Sequence, residues 1–508
     1  MRNNILKIVF AATLLSITVA SSAFADTTYY NSGTENRGWV ANGDTWNYID
    51  NSGSLVTDTW KESNGSWFYL NSEGNLAIDE VVEYSSKYYY VDEHGAMIKD
   101  SWVAVPEDDS DLDVNYRWMY FGSTGAAYTS NDSKVSLKTI NGKKYAFDSE
   151  GKMLFGFVDE GGTIRNNETE PVIGSMYYFG TNDDGALHTG WLKYTDAIEA
   201  YDDKDVIWFY YNTSSGKMTK DATKTINGRK YKFDSDGVMT SEWVTDSATT
   251  SSASKYYSDD NNGAMAKKEW VRAIPSEDIN SEDHENDEYR WFYVLSSGDT
   301  VIGKTKKINS KWYVFDNDGI MKTEFVELDS KRVSDAKYVN RFKAEDISAE
   351  NIYSKFDDNV NGLFYFSDSE DDGSMKTGTN IKIELSDDSY TFAYKKNTGT
   401  AYNGIENNKL YRCGILQTGG DDKYKVKKYF DGTDYKYYVV NTSGTILKAG
   451  STGKTSNDTY YGVYNSIGDV GNIKCFSGDD ASKIAHYYAK NGNTDVSYSD
   501  WTEVSFDY

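Results

Sequence analysis

An aromatic residue followed seven positions later by a glycine recurs along most of this chain. The clearest copy is Ser66-Trp67-Phe68-Tyr69-Leu70-Asn71-Ser72-Glu73-Gly74, an aromatic run that enters a polar turn closed by glycine. The same spacing of seven joins Trp46 to Gly53, Trp67 to Gly74, Tyr88 to Gly95, Trp118 to Gly125, Trp291 to Gly298 and Trp312 to Gly319. Gly53, Gly74 and Gly95 are in turn 21 residues apart. A fixed period of this length indicates an architecture of stacked repeats.

Each repeat unit predicts a β-hairpin. An aromatic strand leads into a turn such as Asp148-Ser149-Glu150-Gly151, and a second short strand such as Lys152-Met153-Leu154 follows. Asp, Asn or Ser before Gly favours a turn, because glycine takes a positive φ without steric cost. One hairpin is marginally stable alone, so stacking must bury the aromatic rings. The predicted fold class is therefore all-β, a repeat solenoid of stacked β-hairpins with about 20 residues per basic unit and acidic loop insertions.

The repeats divide the chain into four predicted regions. Residues 1–25 carry Arg2, Lys7, an apolar run and Ala23-Phe24-Ala25, which is the pattern of a secretory signal peptide. Hairpin repeats fill 26–328. An irregular insertion, with a short helix as the alternative, occupies 329–360, and 361–508 is predicted to hold degenerate repeats and a C-terminal cap. We therefore predict an exported protein, and no later stretch is apolar enough to span a bilayer.

Composition and charge restrict the partners. Aromatic residues make up 15% of the chain, with 43 Tyr and 13 Trp but only 3 Pro, which favours strands. Without the signal peptide, 51 basic residues face 79 acidic ones, a net charge of −28. Such a surface repels nucleic acid and attracts a cationic ligand group, although solubility alone also accounts for it. We predict no nucleic-acid partner.

Cysteines and acidic loops offer weaker signals. Cys413 and Cys475 either form one disulfide or remain two separate thiols, and spacing alone leaves both open. The loops Glu107-Asp108-Asp109-Ser110-Asp111 and Glu282-Asp283-His284-Glu285 carry carboxylates that could bind calcium. They lack the glycine and the terminal glutamate of a calcium-binding loop, so we interpret them as solvated charge runs. We predict no metal and no cofactor.

The tryptophans other than Trp501 occupy two slots. The hairpin slot, seven residues before a turn glycine or at its equivalent, holds Trp46, Trp67, Trp118, Trp208, Trp291 and Trp312. The junction slot, six or seven residues after a turn glycine or at the start of the array, holds Trp39, Trp60, Trp102, Trp191, Trp243 and Trp270. These rings are either the core of a thin repeat fold or partly exposed walls that hold a cation or a sugar ring. Because Leu, Ile and Val are scarce, we favour walls.

The stretch from Thr59 to Gly74 resembles the cell-wall-binding (choline-binding) repeat family of Gram-positive surface proteins. The units Thr139–Asp148 and Thr225–Tyr231 resemble the variant found in glucan-binding proteins and clostridial toxin repeats. The resemblance covers 26–328 closely and 361–450 loosely. It implies a hairpin solenoid at the cell wall or cell surface of a Gram-positive bacterium. Ligands would lie between consecutive hairpins, either choline on teichoic acid or an α-glucan.

Carried over by position, the resemblance implies a set of ligand-binding aromatics. They are Trp39, Trp46, Tyr48, Trp60, Trp67, Tyr69, Trp102, Trp118, Tyr120, Trp191, Trp208, Tyr210, Trp270, Trp291 and Tyr293. The Gly-Trp pair of the family is kept at Gly38-Trp39 and Gly190-Trp191, whereas Thr59, Ser101, Glu242 or Glu269 precedes the tryptophan elsewhere. Lys144 and Lys230 stand in the hairpin slot of their units, where a lysine would repel a cation, so those junctions are expected to be structural.

Three functions follow. The first is a non-catalytic surface protein whose weak sites on cell-wall choline or glucan are multiplied by avidity. The second is an adhesin that uses the repeats as a wall anchor and binds a host surface through its tail. The third is a wall hydrolase with a site in 380–508. We predict no catalytic residues and favour the first function, because the repeats occupy most of the chain.

Overall fold

The computed structural model describes residues 37–108, 112, 114–130, 134–165, 174–195, 198–202, 204, 206–244, 254–334, 336–369 and 372–508. The predicted signal peptide lies outside these residues. The chain forms two compact units, one reaching to Thr225 and including Lys232–Thr240, the other comprising Ile226–Tyr231 and Ser241–Tyr508. In the part of the chain that is described, no helix has the length and apolarity to cross a membrane.

The first unit is a series of two-stranded antiparallel hairpins. The strand pairs are Gly38–Asn42 with Thr45–Ile49, Thr59–Ser63 with Ser66–Leu70, Glu80–Tyr84 with Lys87–Val91, Ser101–Pro106 with Tyr116–Phe121, Lys138–Ile140 with Lys143–Tyr145, Gly156–Val158 with Tyr177–Phe179, and Gly190–Tyr194 with Ile207–Tyr211. A 3₁₀ turn, Glu199–Tyr201, lies in the last connection. The strands Ala222–Ile226 and Arg229–Phe233 fall at the division between the units.

The second unit begins with hairpins of the same kind. They pair Glu242–Val244 with Lys255–Tyr257, Glu269–Ala273 with Arg290–Val294, and Thr305–Ile308 with Lys311–Val314. The short helix Ser281–Glu285 lies in the loop of the middle hairpin. A three-stranded sheet follows, in which Glu324–Leu328 lies between Tyr338–Phe342 and Gly362–Phe366.

The C-terminal part of the second unit has wider sheets. The first has the strand order Gly378–Glu384, Ser389–Tyr394, Ile415–Leu416, Lys409–Arg412, Gly404–Glu406. The hairpin of Tyr424–Phe430 and Tyr435–Asn441 follows. The last sheet has the order Ser451–Lys454, Tyr460–Val463, Ile473–Ser477, Thr502–Val504, and the helix Ala481–Asn491 packs against it. The 3₁₀ turns are Ala344–Asp346, Gly420–Asp422 and Val470–Asn472.

The turns of the repeats use the chemistry that the sequence predicts. Asp50 Oδ1 accepts the backbone N–H groups of Ser52 (2.8 Å) and Ser54 (2.9 Å). Between them Gly53 has a φ of 82°, a conformation that glycine takes without a clash of Cβ. The same two acceptor bonds are made by Asn71, Asp92, Asp148, Asp234, Asp316 and Asn441.

The period of 21 residues comes from contacts between consecutive hairpins. At Gly95 (φ 78°), an added Cβ would lie 2.9 Å from the side chain of Leu76 in the preceding hairpin, so only glycine lets the two hairpins approach this closely. Two residues later, the N–H of Met97 donates to the carbonyl of Trp67 (2.8 Å). The same bond joins Leu76 to Trp46, Met153 to Trp118, Met239 to Trp208, Met321 to Trp291 and Met375 to Trp312. These links confirm the predicted all-β fold of stacked hairpins.

Much of the core lies at the residue that ends the second strand of a hairpin. Leu70, Val91, Phe121 and Phe179 are fully buried at this position. Each forms a β-bridge with an apolar residue beyond its own turn, as Leu70 does with Leu76. This position therefore carries the burial that a single hairpin cannot achieve, while the tryptophan slots are left partly accessible.

The segment 329–360 contains both regular elements and a break in the repeat. The part Tyr338–Phe342, for which a helix was one alternative, is a strand, and the helix Ala349–Phe356 follows it. Ser348 begins this helix with a capping box, in which its side chain accepts the N–H of Asn351 and the Asn351 side chain accepts the N–H of Ser348. The proposed domain boundaries stay a prediction.

In the acidic loops, Asp108, Glu282 and Glu285 are exposed as expected, Asp109, Ser110 and Asp111 lie outside the described residues, and Glu107 and Asp283 instead form ion pairs. The side chain of Glu107 is only 3% exposed, and its carboxylate pairs with Lys152 (2.9 Å) and Arg117 (3.5 Å). Asp283 lies in the helix Ser281–Glu285 and pairs with Arg290 (2.5 Å). These carboxylates hold loops onto hairpins. Across the described ranges, no three His, Cys, Asp or Glu side chains form a group suited to a metal ion.

Candidate aromatic sites between hairpins

A junction-slot tryptophan faces a tyrosine across each of several hairpins. The antiparallel register pairs Trp39 with Tyr48, Trp60 with Tyr69, Trp102 with Tyr120, Trp191 with Tyr210, Trp243 with Tyr256, and Trp270 with Tyr293. The ring centroids of these pairs are 5.0–5.2 Å apart, mostly in edge-to-face orientation. This geometry is the favourable one for aromatic quadrupoles.

The hairpin-slot tryptophan lies on the same face. It precedes the paired tyrosine by two residues, and side chains two apart on a strand point to one side. All fifteen predicted residues therefore fall into five triads, each on one hairpin. We name each triad by its junction-slot member: Trp39 with Trp46 and Tyr48, Trp60 with Trp67 and Tyr69, Trp102 with Trp118 and Tyr120, Trp191 with Trp208 and Tyr210, and Trp270 with Trp291 and Tyr293.

Rings from the next hairpin complete the triads, and the sequence prediction missed them. In the Trp60 triad, Tyr89 lies 5.2 Å from Trp60, and Tyr84 lies 5.9 Å from Tyr69. The corresponding contacts elsewhere are Trp39 to Phe68 (5.3 Å), Trp102 to Tyr145 (5.0 Å), Trp191 to Phe233 (5.8 Å) and Trp270 to Tyr313 (4.8 Å). A ligand between two hairpins would therefore meet rings from both.

The triads are neither fully buried nor fully exposed. The five junction-slot tryptophans are half-buried, whereas Tyr69, Tyr210 and Tyr293 are buried beneath them. Trp291 is the most open of the predicted tryptophans, at 36% exposure. The Trp60, Trp191 and Trp270 triads thus combine a packed base with an accessible edge, as in a shallow aromatic recess, whereas Tyr48 and Tyr120 of the other two triads are half-buried.

Some indole nitrogens in these recesses lack a hydrogen-bond acceptor. The Nε1 atoms of Trp60, Trp118 and Trp208 are buried and have no partner among the described residues. A buried donor without a partner costs about 1–3 kcal/mol. Because these nitrogens are shielded from solvent, a ligand or water oxygen would reach them only after a neighbouring side chain moves.

Lysines of the chain already lie over the rings of two triads. Lys61 Nζ is 5.4 Å from the Tyr48 ring in the Trp39 triad. In the Trp191 triad, Lys193 lies 6.0 Å from Trp208 and Lys224 lies 5.1 Å from Tyr210. In the part of the chain that is described, no lysine or arginine takes such a position over the rings of the other three triads. An external cation would therefore face internal competition in the Trp39 and Trp191 triads.

Aspartates stand beside two of the remaining triads. Burial, followed by the negative charge of Asp58, raises the pKa of Tyr69. Burial, followed by the negative charge of Asp100, likewise raises the pKa of Tyr120. Asp58 (φ 49°) and Asp100 (φ 50°) lie two residues before Trp60 and Trp102, whereas Gly38 (φ 84°) and Gly190 (φ 88°) directly precede Trp39 and Trp191. In the Trp60 and Trp102 units, the positive-φ residue is thus an aspartate, which places a negative charge next to the triad.

The hairpin slot also has a role for its main chain. The carbonyl of the residue in this slot accepts the hydrogen bond from the next hairpin, whichever side chain that residue carries. At Lys144 the bond comes from Leu187 (2.8 Å), and at Lys230 it comes from Met265 (2.9 Å). The slot can therefore hold a stack together without an aromatic ring.

Both cysteines are buried and unpaired. Burial, followed by the charge of Asp357, raises the pKa of the Cys413 thiol, and burial raises the pKa of the Cys475 thiol. Two separate thiols, one of the two alternatives from the sequence, are what the structure contains. Of the histidines, His188 bonds to the carbonyl of Trp191 and His284 to that of Pro275, so both rings are engaged in local structure.

No family model matches the chain. Among curated relatives, Glucosyltransferase-S of Streptococcus mutans is 28% identical over 337 residues, which is 65% of this chain and 20% of that protein. Glucosyltransferase-I of Streptococcus downei is 25% identical over 219 residues, which is 41% of this chain and 12% of that protein. The chain thus spans 20% or less of the length of these curated relatives.

Solved structures with similarity include proteins of Streptococcus pneumoniae. CbpJ is 17% identical with a TM-score of 0.38, over 67% of this chain and 99% of that chain. Choline binding protein F is 19% identical with a TM-score of 0.32, over 73% of this chain and 99% of that chain. The recognition of a choline- or glucan-binding type of repeat is confirmed.

Proposed function

We propose that this chain is an exported, non-catalytic surface protein that binds a cell-wall polymer, either choline-bearing teichoic acid or a glucan. The observation that carries the proposal is the recurrence of one aromatic triad on five hairpins, with a ring added by the next hairpin at each. The signal-like pattern of residues 1–25 supports export to the cell surface.

The triads suit both ligand chemistries. A quaternary ammonium placed over a tryptophan or tyrosine ring gains about 0.5–2 kcal/mol from cation–π attraction. A sugar ring can stack its apolar face on the same indole. Each site is weak alone. Several sites on one chain that contact one polymer raise the overall affinity by avidity.

Electrostatics divides the triads between these chemistries. The Trp60 and Trp102 triads combine uncovered rings with a nearby aspartate, Asp58 or Asp100, and suit a cation. The Trp191 triad, where Lys193 and Lys224 lie over its rings, suits a neutral sugar instead. We therefore propose choline at the Trp60 and Trp102 triads and sugar contact at the Trp191 triad.

A binding role fits the state of the most reactive side chains. The thiols of Cys413 and Cys475 are kept protonated by burial and are poor nucleophiles at neutral pH. Incubation of the protein with purified cell wall should release no reducing sugar, peptide or free amino group. Release that scales with protein concentration would establish the hydrolase alternative instead.

Tryptophan fluorescence of the mature protein, titrated in parallel with choline and with an α-glucan oligosaccharide, tests the proposal. Trp60→Ala should weaken choline binding at its triad by roughly two- to thirtyfold, the equivalent of one cation–π contact. Trp501→Phe is the matched control, because Trp501 lies in neither slot and packs against Phe476 (5.7 Å). Silence of the protein to both ligands, or an equal loss in the two variants, would refute aromatic recognition.

A further inference from the structure

A cavity of about 640 Å³ opens in the second unit, away from the aromatic triads. It lies beyond the end of the helix Ala349–Phe356, between the segments 357–361, 395–403 and 429–432. No residue of any triad lines it. Its volume is within the range of pockets that hold a small molecule or one unit of a polymer.

Two of the three acidic side chains that line the cavity are already matched by partners. The carboxylate of Asp357 is nearly buried and accepts Arg412 Nε on both oxygens (3.0 and 2.9 Å), together with the Cys413 thiol (3.3 Å) and the Tyr435 hydroxyl (3.3 Å). The arginine also stacks on the Tyr353 ring at 4.1 Å. Asp357 is thus held as a structural anion with its charge balanced.

Asp431 is satisfied in a similar way. It accepts the backbone N–H groups of Asp434 (3.0 Å) and Thr433 (2.9 Å) and pairs with Lys436 (3.5 Å). These bonds lower the pKa of the Asp431 carboxyl, the bond from Asp434 contributing most. The exposed Asp358 is the remaining acid on the wall.

The basic side chains of the wall are not balanced in this way. Lys331, Arg332 and Lys395 line the cavity, and none of them forms an ion pair with any described residue. Lys395 lies 5.9 Å from the Tyr402 ring. In a chain with 79 acidic and 53 basic residues, these three cations without an ion-pair partner outnumber the one unmatched acid of the wall, Asp358, and give the cavity a local excess of positive charge.

A hydroxyl group in the same wall also lacks a partner. Thr398 Oγ1 is buried and has no hydrogen-bond partner among the described residues, although it belongs to the cavity wall. A hydroxyl can donate to an anionic oxygen, and bonds to charged acceptors are stronger than bonds to neutral ones. Tyr429 and Phe430 add an aromatic surface beside these polar groups.

We propose that this cavity binds an anionic group, a phosphate or a carboxylate, carried on a polyol or a sugar. Lys331, Arg332 and Lys395 neutralise the anion, the Thr398 hydroxyl donates to one of its oxygens, and Tyr429 and Phe430 contact the carbon skeleton. The site is independent of the aromatic triads and selects the opposite charge. A polymer that carries both a cation and an anion would engage both kinds of site.

Isothermal titration calorimetry of the full mature chain tests the cavity with three probes: glycerol 3-phosphate, glucuronate and glycerol. At least one of the anions should bind saturably and glycerol should not, and the stronger anion distinguishes phosphate from carboxylate recognition. The double variant Lys331→Met with Arg332→Gln should lower the affinity for the anion by about tenfold or more, since two charge-assisted contacts are removed. Thr398→Val should weaken it less, and circular dichroism melts should show that the variants remain folded.

Lys396→Met is the matched control, because Lys396 is exposed on the same loop and does not line the cavity. It should leave the affinity unchanged. Absence of saturable binding of both anions, or an equal loss in Lys396→Met and the cavity variant, would overturn the proposal. Choline and glucan titrations of the same variants should be unaltered, so failure of this site is distinguishable from failure of the triads.

Discussion

The glycine that closes each repeat turn should be required for two separable reasons, and one pair of substitutions separates them. Gly95 and Gly65 have nearly the same conformation, with φ of 78° and 79°. Their surroundings differ. A Cβ at Gly95 would lie 2.9 Å from three atoms of Leu76, whereas a Cβ at Gly65 would have no atom within 4 Å.

The expected cost follows from this difference. Alanine at either position should lower the free energy of unfolding by about 1–2 kcal/mol, because its Cβ is strained in the left-handed region. Gly95→Ala should cost a further ~1–3 kcal/mol from overpacking, because Leu76 is buried (7% exposed) and cannot turn away into solvent. The double variant Gly95→Ala with Leu76→Ala should recover part of the second cost, since the clashing side chain is removed.

Urea unfolding followed by tryptophan fluorescence measures these free energies, with the first transition compared between variants. Gly65→Ala provides the conformational cost alone. If Gly95→Ala and Gly65→Ala destabilise the protein equally, within about 0.5 kcal/mol, close approach between hairpins does not explain the periodic glycine. The spacing of 21 residues would then reflect turn conformation only.

Three further substitutions probe the charges. Asp58→Asn, which keeps a residue tolerant of positive φ, should weaken choline relative to glucan by about two- to fivefold in parallel titrations; an unchanged ratio would contradict a role for the carboxylate. Lys61→Met should uncover the tyrosine ring beneath it and raise the choline stoichiometry measured by calorimetry; an unchanged stoichiometry would contradict internal competition. Burial opposes ionisation of Asp372, but bonds from Ser374 and Lys311 lower its pKa from 3.8 to about 2. Its contribution to stability is therefore present above the unfolded pKa and lost as pH falls from about 4 to about 2; acid titrations of Asp372→Asn should lack this portion of the pH dependence, and a curve identical to that of the parent would contradict it.

Local turn chemistry explains why so much of the fold could be predicted. Asp50 and Gly53 act within one turn, and their roles depend on residues a few positions away. The triads could also be predicted from the sequence, because alternation along a strand places Trp67 and Tyr69 on one face. The partner ring Tyr89 could have been found from the same period, since it occupies the next copy of the unit.

Other features depend on contacts that spacing does not encode. Lys152 reaches Glu107 across 45 residues, so a loop that looks solvated in sequence is pinned at its start. Lys61 lies over Tyr48 of the preceding hairpin, and a lysine among charged surface residues gives no sign of this. The wider C-terminal sheets follow from strands such as Ile415–Leu416, which is too short to show a period.

The link between hairpins is made by main-chain atoms of the hairpin slot, and it persists where Lys144 or Lys230 replaces tryptophan. This main-chain link therefore does not depend on which side chain stands at that position. Single-codon changes can switch a recess on or off while the length and pitch of the array stay constant. The number of binding sites per chain can therefore change by one at a time during evolution, without duplication or deletion of a repeat.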